Sequence, residues 1–289
     1  MADARGDEQQ TKPAHRAWHD SAVDLGLSGK IVLVAAASKG LGRAIAEEFA
    51  REKAKIAMCS REEGAISAAA QEIERKTGNP DLLPIAADVS TKEGCESFVQ
   101  LAQSKFGAID ILIVNAGGPP PGRFDDLDDT AWHKAVDLTL LSAVRLTRLV
   151  LPQMRKQGSG SIVYSTSTSV RQPTQYLNLI LSNAIRASVH GMLKTLSSDL
   201  AKDGIRVNAV QPGRIATDRL IQLDTDTARR QGTSPDEVRK RYESSVIPMG
   251  RYGKPEEYAA AVVFIASPKA SYITGVSLQV DGGMLMSMF

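Results

Sequence analysis

The sequence predicts a single-domain, doubly wound α/β fold with a parallel sheet of about seven strands. Seven short apolar runs rich in Ile and Val recur along the 289 residues, and segments of helical length and period separate them. Strand–helix–strand repeats of this kind connect through right-handed crossovers and build a parallel sheet covered on both faces. This arrangement is Rossmann-type, and it places ligands at the carboxyl ends of the strands.

Gly, Pro or Asp residues bound the predicted strands. The seven runs are IVLVA (31–35), KIAMCS (55–60), LLPIAAD (82–88), IDILIVNAG (109–117), GSIVYSTS (160–167), IRVNAVQPG (205–213) and VSLQVDGG (276–283). Residues 1–26 are polar and lack periodicity, which is typical of a flexible tail. We therefore expect one folded domain over residues 27–289, with an insertion near 214–250.

The composition excludes several classes of partner. Lys plus Arg number 35 and Asp plus Glu 33, so the net charge of +2 predicts no nucleic-acid partner. The N-terminus lacks the apolar segment of a signal peptide, and no apolar run is long enough for a membrane span, so a cytoplasmic protein is expected. Cys59 and Cys95 form neither a disulfide framework nor a metal-ligand spacing, and we expect no metal.

A glycine-rich loop follows the first predicted strand and opens a helix. A helix N-terminus offers unpaired backbone N–H groups and the positive end of the helix dipole, which together bind pyrophosphate. An ordinary tight turn between strand and helix is the alternative. The predicted cofactor-binding residues of this loop are Ser38, Lys39, Gly40, Leu41 and Gly42.

The loop is similar to the T-G-x-x-x-G-x-G loop of the short-chain dehydrogenase/reductase family. Ala35 and Ala36 replace the family's Thr and first Gly, and we expect Ala36 to turn at a negative φ. Further motifs follow in the family's order between about residues 28 and 283. These are Asp88-Val89, Asn115-Ala116-Gly117, Pro212-Gly213 with Thr217, Tyr272-Ile273-Thr274-Gly275, and Asp281-Gly282-Gly283.

The resemblance implies a dinucleotide-dependent oxidoreductase that is a homodimer or homotetramer. In the family, the residue at Asp88 contacts the adenine ring, and the element at Pro212, Gly213 and Thr217 holds the nicotinamide carboxamide. An apolar C-terminal segment, MLMSMF, favours burial against another subunit.

The end of the second strand predicts NADP(H) in preference to NAD(H). No acidic residue stands there to bind a ribose hydroxyl, and the strand instead ends Cys59-Ser60-Arg61. Arg61 and Ser60 could bind a 2′-phosphate, with Lys39 as a second cation. The alternative is that Arg61 pairs with a neighbouring glutamate on the surface.

The catalytic positions depart from the family pattern. Flanking landmarks place Thr139 at the family's Asn and Ser167 at its Ser, with Ser165 and Ser169 as rivals. Ser182 and Arg186 stand at the family's Tyr and Lys, which marks a divergent member that lacks the usual Tyr-x-x-x-Lys pair. Residues four apart share a helix face, so Ser182 and Arg186 should lie together.

The usual proton donor therefore needs a replacement. Arg186 can grip ribose hydroxyls, but it cannot lose a proton at neutral pH. Tyr176, six residues before Ser182, is a candidate phenol, or it packs under its loop. His190 shares the helix row of Arg186 and could titrate near neutrality, although a structural role is favoured.

These residues predict an NADPH-dependent reductase of a small carbonyl or conjugated enone, with a non-standard proton donor. In conjugate reduction, Ser167, Ser182 and Arg186 could stabilise an enolate oxygen by hydrogen bonds. The alternative is a nucleotide-binding protein of the same fold with little or no redox turnover, acting in sensing or assembly.

The insertion at 214–250 resembles the family's lid over the substrate. Ser234-Pro235-Asp236-Glu237 predicts a helix start, with an N-cap, a proline at the first position and a capping-box glutamate. Arg214 and Arg219 could attract an anionic substrate or be structural. Residues 119–121, three prolines, predict a stiff wall beside the nicotinamide or a rigid surface loop.

Overall fold

The computed structural model describes residues 23–173 and 177–287, and it contains one seven-stranded parallel sheet. The strand order is β3-β2-β1-β4-β5-β6-β7, which confirms the predicted doubly wound fold. The strands are β1 (Ile31–Val34), β2 (Lys55–Ser60), β3 (Leu82–Ala86), β4 (Ile111–Val114), β5 (Gly160–Ser165), β6 (Ile205–Pro212) and β7 (Ser277–Val280).

Helices cover both faces of this sheet. They are α1 (Gly40–Arg51), α2 (Glu63–Thr77), α3 (Lys92–Phe106), α4 (Asp129–Ala135), α5 (Ser142–Gln157), α6 (Ile180–Asp199), α7 (Asp218–Gln231), α8 (Pro235–Ser245) and α9 (Pro255–Ala266). Apolar side chains of α1, α2 and α9 form the core on one face, and those of α3, α5 and α6 form the core on the other. None of the described helices is both long and apolar enough to cross a membrane.

The strands end earlier than the apolar runs predict. The run at 109–117 yields a strand only at Ile111–Val114, and the run at 160–167 ends as a strand at Ser165. The polar residues that complete these runs turn away from the sheet at its carboxyl edge. Because β1 lies between β2 and β4, the chain reverses its direction of winding there, and the crevice of a doubly wound fold opens at this point.

The long amphipathic segment at 131–157 is not one uniform helix. A π-helical turn at Val136–Leu141 separates α4 from α5. Such turns insert an extra residue into a helix and often occur at functional sites. Thr139 lies in this turn, with its side chain directed into the protein, where it is only 5% exposed.

The insertion after β6 folds into α7 and α8 around a small apolar core of its own. The predicted helix start is confirmed, because Ser234 caps α8 and forms a capping box with Glu237. Backbone hydrogen bonds from Gly253 to Arg214 (2.9 Å) and from Ala216 to Gly253 (2.8 Å) join the two ends of the insertion. Residues 1–22 of the expected tail lie outside the described residues.

Candidate active site

The glycine loop is a tight turn fixed by backbone contacts. Gly42 is buried, and a Cβ atom there would lie 2.2 Å from the carbonyl oxygen of Ala36. Gly40 has a φ of 59° and Ala36 a φ of 51°, both in the left-handed region. The expectation of a negative φ at Ala36 was wrong, because the close approach of Gly42 holds the preceding turn in a conformation that the family's glycine adopts freely.

Asn115 ties the end of β4 to this loop. Its Nδ2 donates to the carbonyl oxygens of Ala35 (3.3 Å) and Ala36 (3.2 Å). Ala116 is half-buried and Gly117 exposed, so both line the crevice rather than the core. Sequence segments some 80 residues apart are thereby held at one point of the carboxyl edge.

The N-terminus of α1 faces this crevice without a side-chain cap. Lys39, at the N-cap position, is exposed and makes no capping hydrogen bond, while Ser38 and Leu41 are half-buried. The first backbone N–H groups of a helix need a partner outside the helix. These groups, in a loop that Gly42 allows to pack tightly against Ala36, fit a pyrophosphate.

Two polar side chains at the end of β2 differ in whether they already have a bonding partner. The hydroxyl of Ser60 donates to the carbonyl oxygen of Glu62 at 3.2 Å. Arg61 is exposed, and among residues 23–173 and 177–287 it has no ion pair. The alternative in which Arg61 pairs with a neighbouring glutamate is therefore not what the side chains adopt.

The residues after β3 form a turn that leads into α3. Oδ1 of Asp88 accepts hydrogen bonds from the backbone N–H of Ser90 (2.9 Å) and from its hydroxyl (2.8 Å). Val89 is buried, and its carbonyl accepts from the thiol of Cys95. The other carboxylate oxygen of Asp88 accepts no hydrogen bond from the part of the chain that the structure describes.

The loop after β6 closes the opposite side of the crevice. A Cβ atom on Gly213 would lie 2.5 Å from Cβ of Asp281, so this position requires glycine. Thr217 caps α7 by accepting from the backbone of Leu220, and its methyl group would lie 3.8 Å from a Cβ atom on Gly40. The loop that contains Pro212, Gly213 and Thr217 thus meets the glycine loop.

The three rival serines after and within β5 have different environments. Ser165 is buried on the α9 side and shares a 2.8 Å hydrogen bond with the hydroxyl of Tyr258. Ser169 is buried, whereas Ser167 is half-buried. Oγ of Ser167 accepts from the backbone N–H of Ser169 at 3.2 Å and shares a 2.8 Å hydrogen bond with its hydroxyl.

Ser182 and Arg186 lie together on α6, as the spacing predicts. Nε of Arg186 donates to Oγ of Ser182 at 3.2 Å, and Nη1 donates to the carbonyl oxygen of Ser165 at 2.9 Å. Both side chains are mostly buried, at 8% exposure each. Burial lowers the pKa of Arg186, and the charge of Arg219 lowers it further.

A small cavity of about 10 Å³ lies beside Arg186. Its lining includes Thr139, Tyr164, Ser165, Thr166 and Arg186. Oγ1 of Thr139 is buried and has no hydrogen-bond partner among the described residues. A cavity of this size, with polar groups in its wall, has room for about one water molecule.

His190 has a structural role, because its two ring nitrogens lie within hydrogen-bond distance of three neighbouring side chains. It is not a group that titrates near neutrality. Nε2 lies 3.0 Å from Oγ1 of Thr166 and 3.4 Å from Nε2 of Gln211, and Nδ1 lies 3.1 Å from Oγ of Ser277. The Gln211 amide nitrogen can only donate, so Nε2 of His190 accepts and Nδ1 carries the proton. Burial, Arg171 and Arg186 lower the pKa of His190 to about 4, which keeps the ring neutral at pH 7.

The two arginines at the start of the insertion have separate roles. Arg214 is buried, donates to Asp224 at 2.5 Å and to Tyr252 at 3.2 Å, and stacks on the ring of Tyr242. Arg214 is therefore structural, which is the second of the two alternatives given for it. Arg219 is half-buried and donates to the carbonyl oxygen of Pro119 at 2.8 Å.

An open cavity of about 450 Å³ begins at Gly122, the residue that follows the three prolines, with Phe124, Leu179 and Asn183 also in its lining. Its volume is within the range of small-molecule sites. Tyr176, the candidate phenol, lies outside the described residues.

Three residues of the site were not singled out from the sequence. Gln211 donates to the carbonyl oxygen of Ser167 at 3.4 Å, Thr166 bonds His190, and Tyr258 bonds Ser165. Gln211 did carry a signal, since a polar residue within an otherwise apolar strand needs a buried partner. Tyr258 carried none, because its α9 segment is typical of a core helix.

Comparison with known proteins is consistent with this geometry. A family model described as "Enoyl-(Acyl carrier protein) reductase" matches residues 35–285. A curated relative, 3-oxoacyl-(acyl-carrier-protein) reductase FabG of Vibrio harveyi, is 36% identical over 267 residues, which cover 91% of this chain and 100% of the relative.

Two solved structures have a fold similar to that of this chain. L-Sorbose reductase from Gluconobacter frateurii, complexed with NADPH and L-sorbose, superposes with a TM-score of 0.85 at 34% identity, covering 92% of this chain and 100% of that one. The 3-ketoacyl-(acyl-carrier-protein) reductase from Brucella melitensis, complexed with NADH, superposes with a TM-score of 0.79 at 31% identity, covering 89% and 99%.

Proposed function

This chain belongs to the short-chain dehydrogenase/reductase family of oxidoreductases, and on that premise we propose that it is an NADPH-dependent reductase of a small carbonyl compound or conjugated enone. We further propose that it is a divergent member, with Ser182 and Arg186 at the positions of the family's Tyr and Lys, and that its proton donor is not the family's tyrosine.

The crevice fits a dinucleotide. The uncapped N-terminus of α1 would hold the pyrophosphate, and Asp88 and Val89 the adenine. Residues 115–117 would line the crevice, Pro212, Gly213 and Thr217 would hold the nicotinamide carboxamide, and Arg186 the nicotinamide ribose. When bound, the reduced nicotinamide supplies a hydride.

The preference for NADP(H) rests on the charge at the end of β2. Arg61 is exposed and free of ion pairs within the described part of the chain, and Lys39 is exposed on the glycine loop. A guanidinium can bind a 2′-phosphate through two parallel hydrogen bonds. The hydroxyl of Ser60 can rotate from the carbonyl of Glu62 toward the same phosphate.

One observation carries the proposed chemistry: Arg186 donates its Nε–H to the oxygen of Ser182. The hydroxyl proton of Ser182 is then free to point at a substrate oxygen, with a positive charge behind it. Ser167 accepts from the backbone of Ser169 and can donate in the same way. Preorganised donors of this kind stabilise a developing oxyanion.

These groups favour conjugate reduction over direct carbonyl reduction. A serine hydroxyl is a weak acid, and an arginine does not give up its proton at neutral pH. Hydride addition to the far carbon of an enone places the negative charge on an enolate oxygen, which the two serines and Arg186 would stabilise. A proton can then arrive from solvent, and the cavity at Thr139 offers a place for one water molecule beside Arg186.

We also propose that the protein is a homodimer or homotetramer. β7 is an edge strand of the sheet, and Phe264, Tyr272 and Val276 are exposed near it at 41%, 103% and 37%. Large apolar side chains beside an open strand edge favour a covering partner. Light scattering coupled to size-exclusion chromatography measures the state, and a monomer would contradict this proposal.

The test is turnover of NADPH with matched ketones and enones, followed by absorbance of the reduced nicotinamide. We expect enones to react faster than their saturated analogues. Ser182→Ala should lower kcat by about ten- to a hundredfold, as the loss of one oxyanion donor does. Ser188→Ala, on the exposed side of the same helix, should leave kcat unchanged.

Two further arms separate the alternatives. Tight binding of NADPH by calorimetry, without oxidation across the panel, would favour a nucleotide-binding protein without redox turnover. A loss of turnover in Tyr176→Phe equal to that in Ser182→Ala would assign the proton to Tyr176 and contradict the donor proposed for this site. NADH binding as tightly as NADPH, or NADPH affinity unchanged in Arg61→Asp, would contradict the preference for NADP(H).

A further inference from the structure

Arg219 forms no ion pair with a carboxylate of the described residues. It lies two residues after Thr217, at the start of α7, where Nη2 donates to the carbonyl oxygen of Pro119 (2.8 Å) and Nη1 to the side-chain oxygen of Gln222 (3.0 Å). Both acceptors are neutral. Within residues 23–173 and 177–287 no carboxylate lies in ion-pair distance of Arg219, and the nearby Asp226 instead pairs with Arg229.

One edge of this guanidinium lies beside Gly118, in the loop after β4. A guanidinium has five N–H donors, and two of those of Arg219 are used by Pro119 and Gln222. The edge formed by Nε and Nη2 lies against Gly118, where a Cβ atom would sit 3.4 Å and 3.3 Å from these two nitrogens. Because residue 118 is a glycine, the space beside this edge is empty of side chain.

Arg219 also bridges the crevice. It extends from the insertion after β6 to the loop after β4, and the contact with Pro119 joins residues 100 apart in sequence. The positive charge of Arg219 lowers the pKa of Arg186, so the two guanidinium groups interact electrostatically. Two guanidinium groups, both at least half withdrawn from water, thus share one crevice, and neither pairs with a carboxylate among the described residues.

Withdrawing a cation from water without a counter-charge is unfavourable, so such groups are usually paired. The chain pairs Arg214, five residues earlier, with Asp224. Leaving Arg219 unpaired at the mouth of the same site therefore calls for an anion that arrives with a ligand. Carboxylates accept from the Nε–Nη2 edge through two parallel hydrogen bonds.

We propose that Arg219 determines substrate specificity by binding a carboxylate of the substrate, so that this enzyme acts on keto acids or enone acids rather than on neutral carbonyl compounds. This inference rests on the proposed reductase function. Arg186 serves the cofactor ribose and the developing oxyanion, and Arg219 orients the far end of the substrate.

The test compares acids with their methyl esters. The probes are β-acetylacrylate and methyl β-acetylacrylate, an enone pair, and levulinate and methyl levulinate, the saturated pair. We expect kcat/KM for the preferred acid to exceed that for its ester by about ten- to a hundredfold, the range of a charge-assisted hydrogen bond. Arg219→Met should reduce this ratio to about one, mainly through KM, and Arg219→Lys should retain part of it.

Two variants supply controls. Gly118→Ala should lower the acid-to-ester ratio without removing a charge, because the new methyl group occupies the space beside Nε and Nη2. Arg229→Met removes an exposed cation from the same helix and should leave the ratio unchanged.

The outcomes also distinguish a failure of this inference from a failure of the proposed reductase function. Equal turnover of acids and esters by the wild type overturns the role of Arg219 and leaves the reductase intact. Weakened NADPH binding in Arg219→Met, with acid and ester affected equally, overturns it as well and assigns Arg219 to the cofactor. If neither pair is reduced, calorimetry of acid and ester on the NADP⁺-loaded protein decides, and equal affinities contradict the proposal.

Discussion

The crevice has a proposed nucleotide half and a proposed substrate half, and the two are built in different ways. In the nucleotide half, Gly42 and Gly213 approach other atoms so closely that a Cβ would lie 2.2 Å and 2.5 Å from them. In the substrate half, Ser167, Ser182 and Arg186 are held by hydrogen bonds of 2.8–3.2 Å. A steric requirement admits one residue type, whereas a hydrogen-bonding requirement admits several, so the substrate half has more freedom to change.

Gly42→Ala should have the largest effect, since it breaks the nucleotide half. The methyl group would collide with the backbone of Ala36, and the loop would have to move. We expect a loss of about 1–3 kcal/mol in the free energy of unfolding, as for other overpacked sites. NADPH should bind about a hundredfold more weakly, which corresponds to about one charge-assisted hydrogen bond. Chemical denaturation and calorimetry measure the two quantities.

Gly64→Ala is the matched control. Gly64 lies in α2 with no atom within 4 Å of its Cβ position. Alanine favours a helix over glycine by up to about 1 kcal/mol, so this variant should be slightly more stable and bind NADPH normally. Normal NADPH binding by Gly42→Ala would show that the loop tolerates side-chain atoms after all.

His190 allows the substrate half to be perturbed by pH. Its pKa is about 4 in the folded protein and near 6.5 when unfolded, so between these values the unfolded chain binds more protons. The contribution of His190 to the free energy of unfolding is fully present above pH 6.5 and is lost as the pH falls toward 4. The slope should stay below about 1.4 kcal/mol per pH unit, the limit for one proton, because the ring is partly exposed to screening solvent.

His190→Gln keeps hydrogen-bonding groups near Thr166 and Ser277 but does not titrate. Urea denaturation at a series of pH values should therefore show the difference between wild type and variant shrinking as the pH falls from 6.5 to 4. His133→Gln, an exposed position in α4, should retain the wild-type slope. A constant difference between wild type and His190→Gln would mean that the buried ring does not resist protonation.

Ala36→Gly should have the smallest effect on the free energy of unfolding. It should stabilise the protein, whereas a substitution of alanine by glycine usually destabilises one. A left-handed alanine costs about 1–2 kcal/mol, while a glycine costs up to about 1 kcal/mol through the unfolded chain. We expect the free energy of unfolding to rise by about 0.5 kcal/mol, as measured by thermal or chemical denaturation. The affinity for NADPH should be unchanged. Lys53, at a φ of 59° in the turn before β2, provides a parallel case, and Lys53→Gly should give a similar gain.

Much of this fold follows from local sequence alone. Each of the seven apolar runs contains one strand, because a strand buried on both faces needs a nearly continuous apolar sequence. The strand ends were less predictable, as at residues 109–117, because hydrogen bonding to neighbouring strands decides where pairing stops. The capping box at Ser234 and the pairing of Ser182 with Arg186 also followed from spacing.

The site was less accessible to sequence analysis. Ser167 could not be separated from Ser165 by spacing, because the two differ only in their tertiary surroundings: Ser165 ends β5 and bonds Tyr258, whereas Ser167 lies beyond the strand and bonds Ser169. Arg214 and Arg219 looked alike in the sequence. Only one of them meets Asp224, because α7 brings that carboxylate back over Arg214.

Local chemistry within the sequence determined the parallel sheet, the glycine-bearing helix start and the helix face shared by Ser182 and Arg186. Each of these depends on neighbours within a few residues, such as a hydrophobic period, a cap or an i,i+4 spacing. Tertiary structure alone decided the left-handed turn at Ala36, the neutral state of His190 and the unpaired charge of Arg219. Those properties depend on atoms that are far apart in sequence and meet only when the sheet and its insertion are assembled.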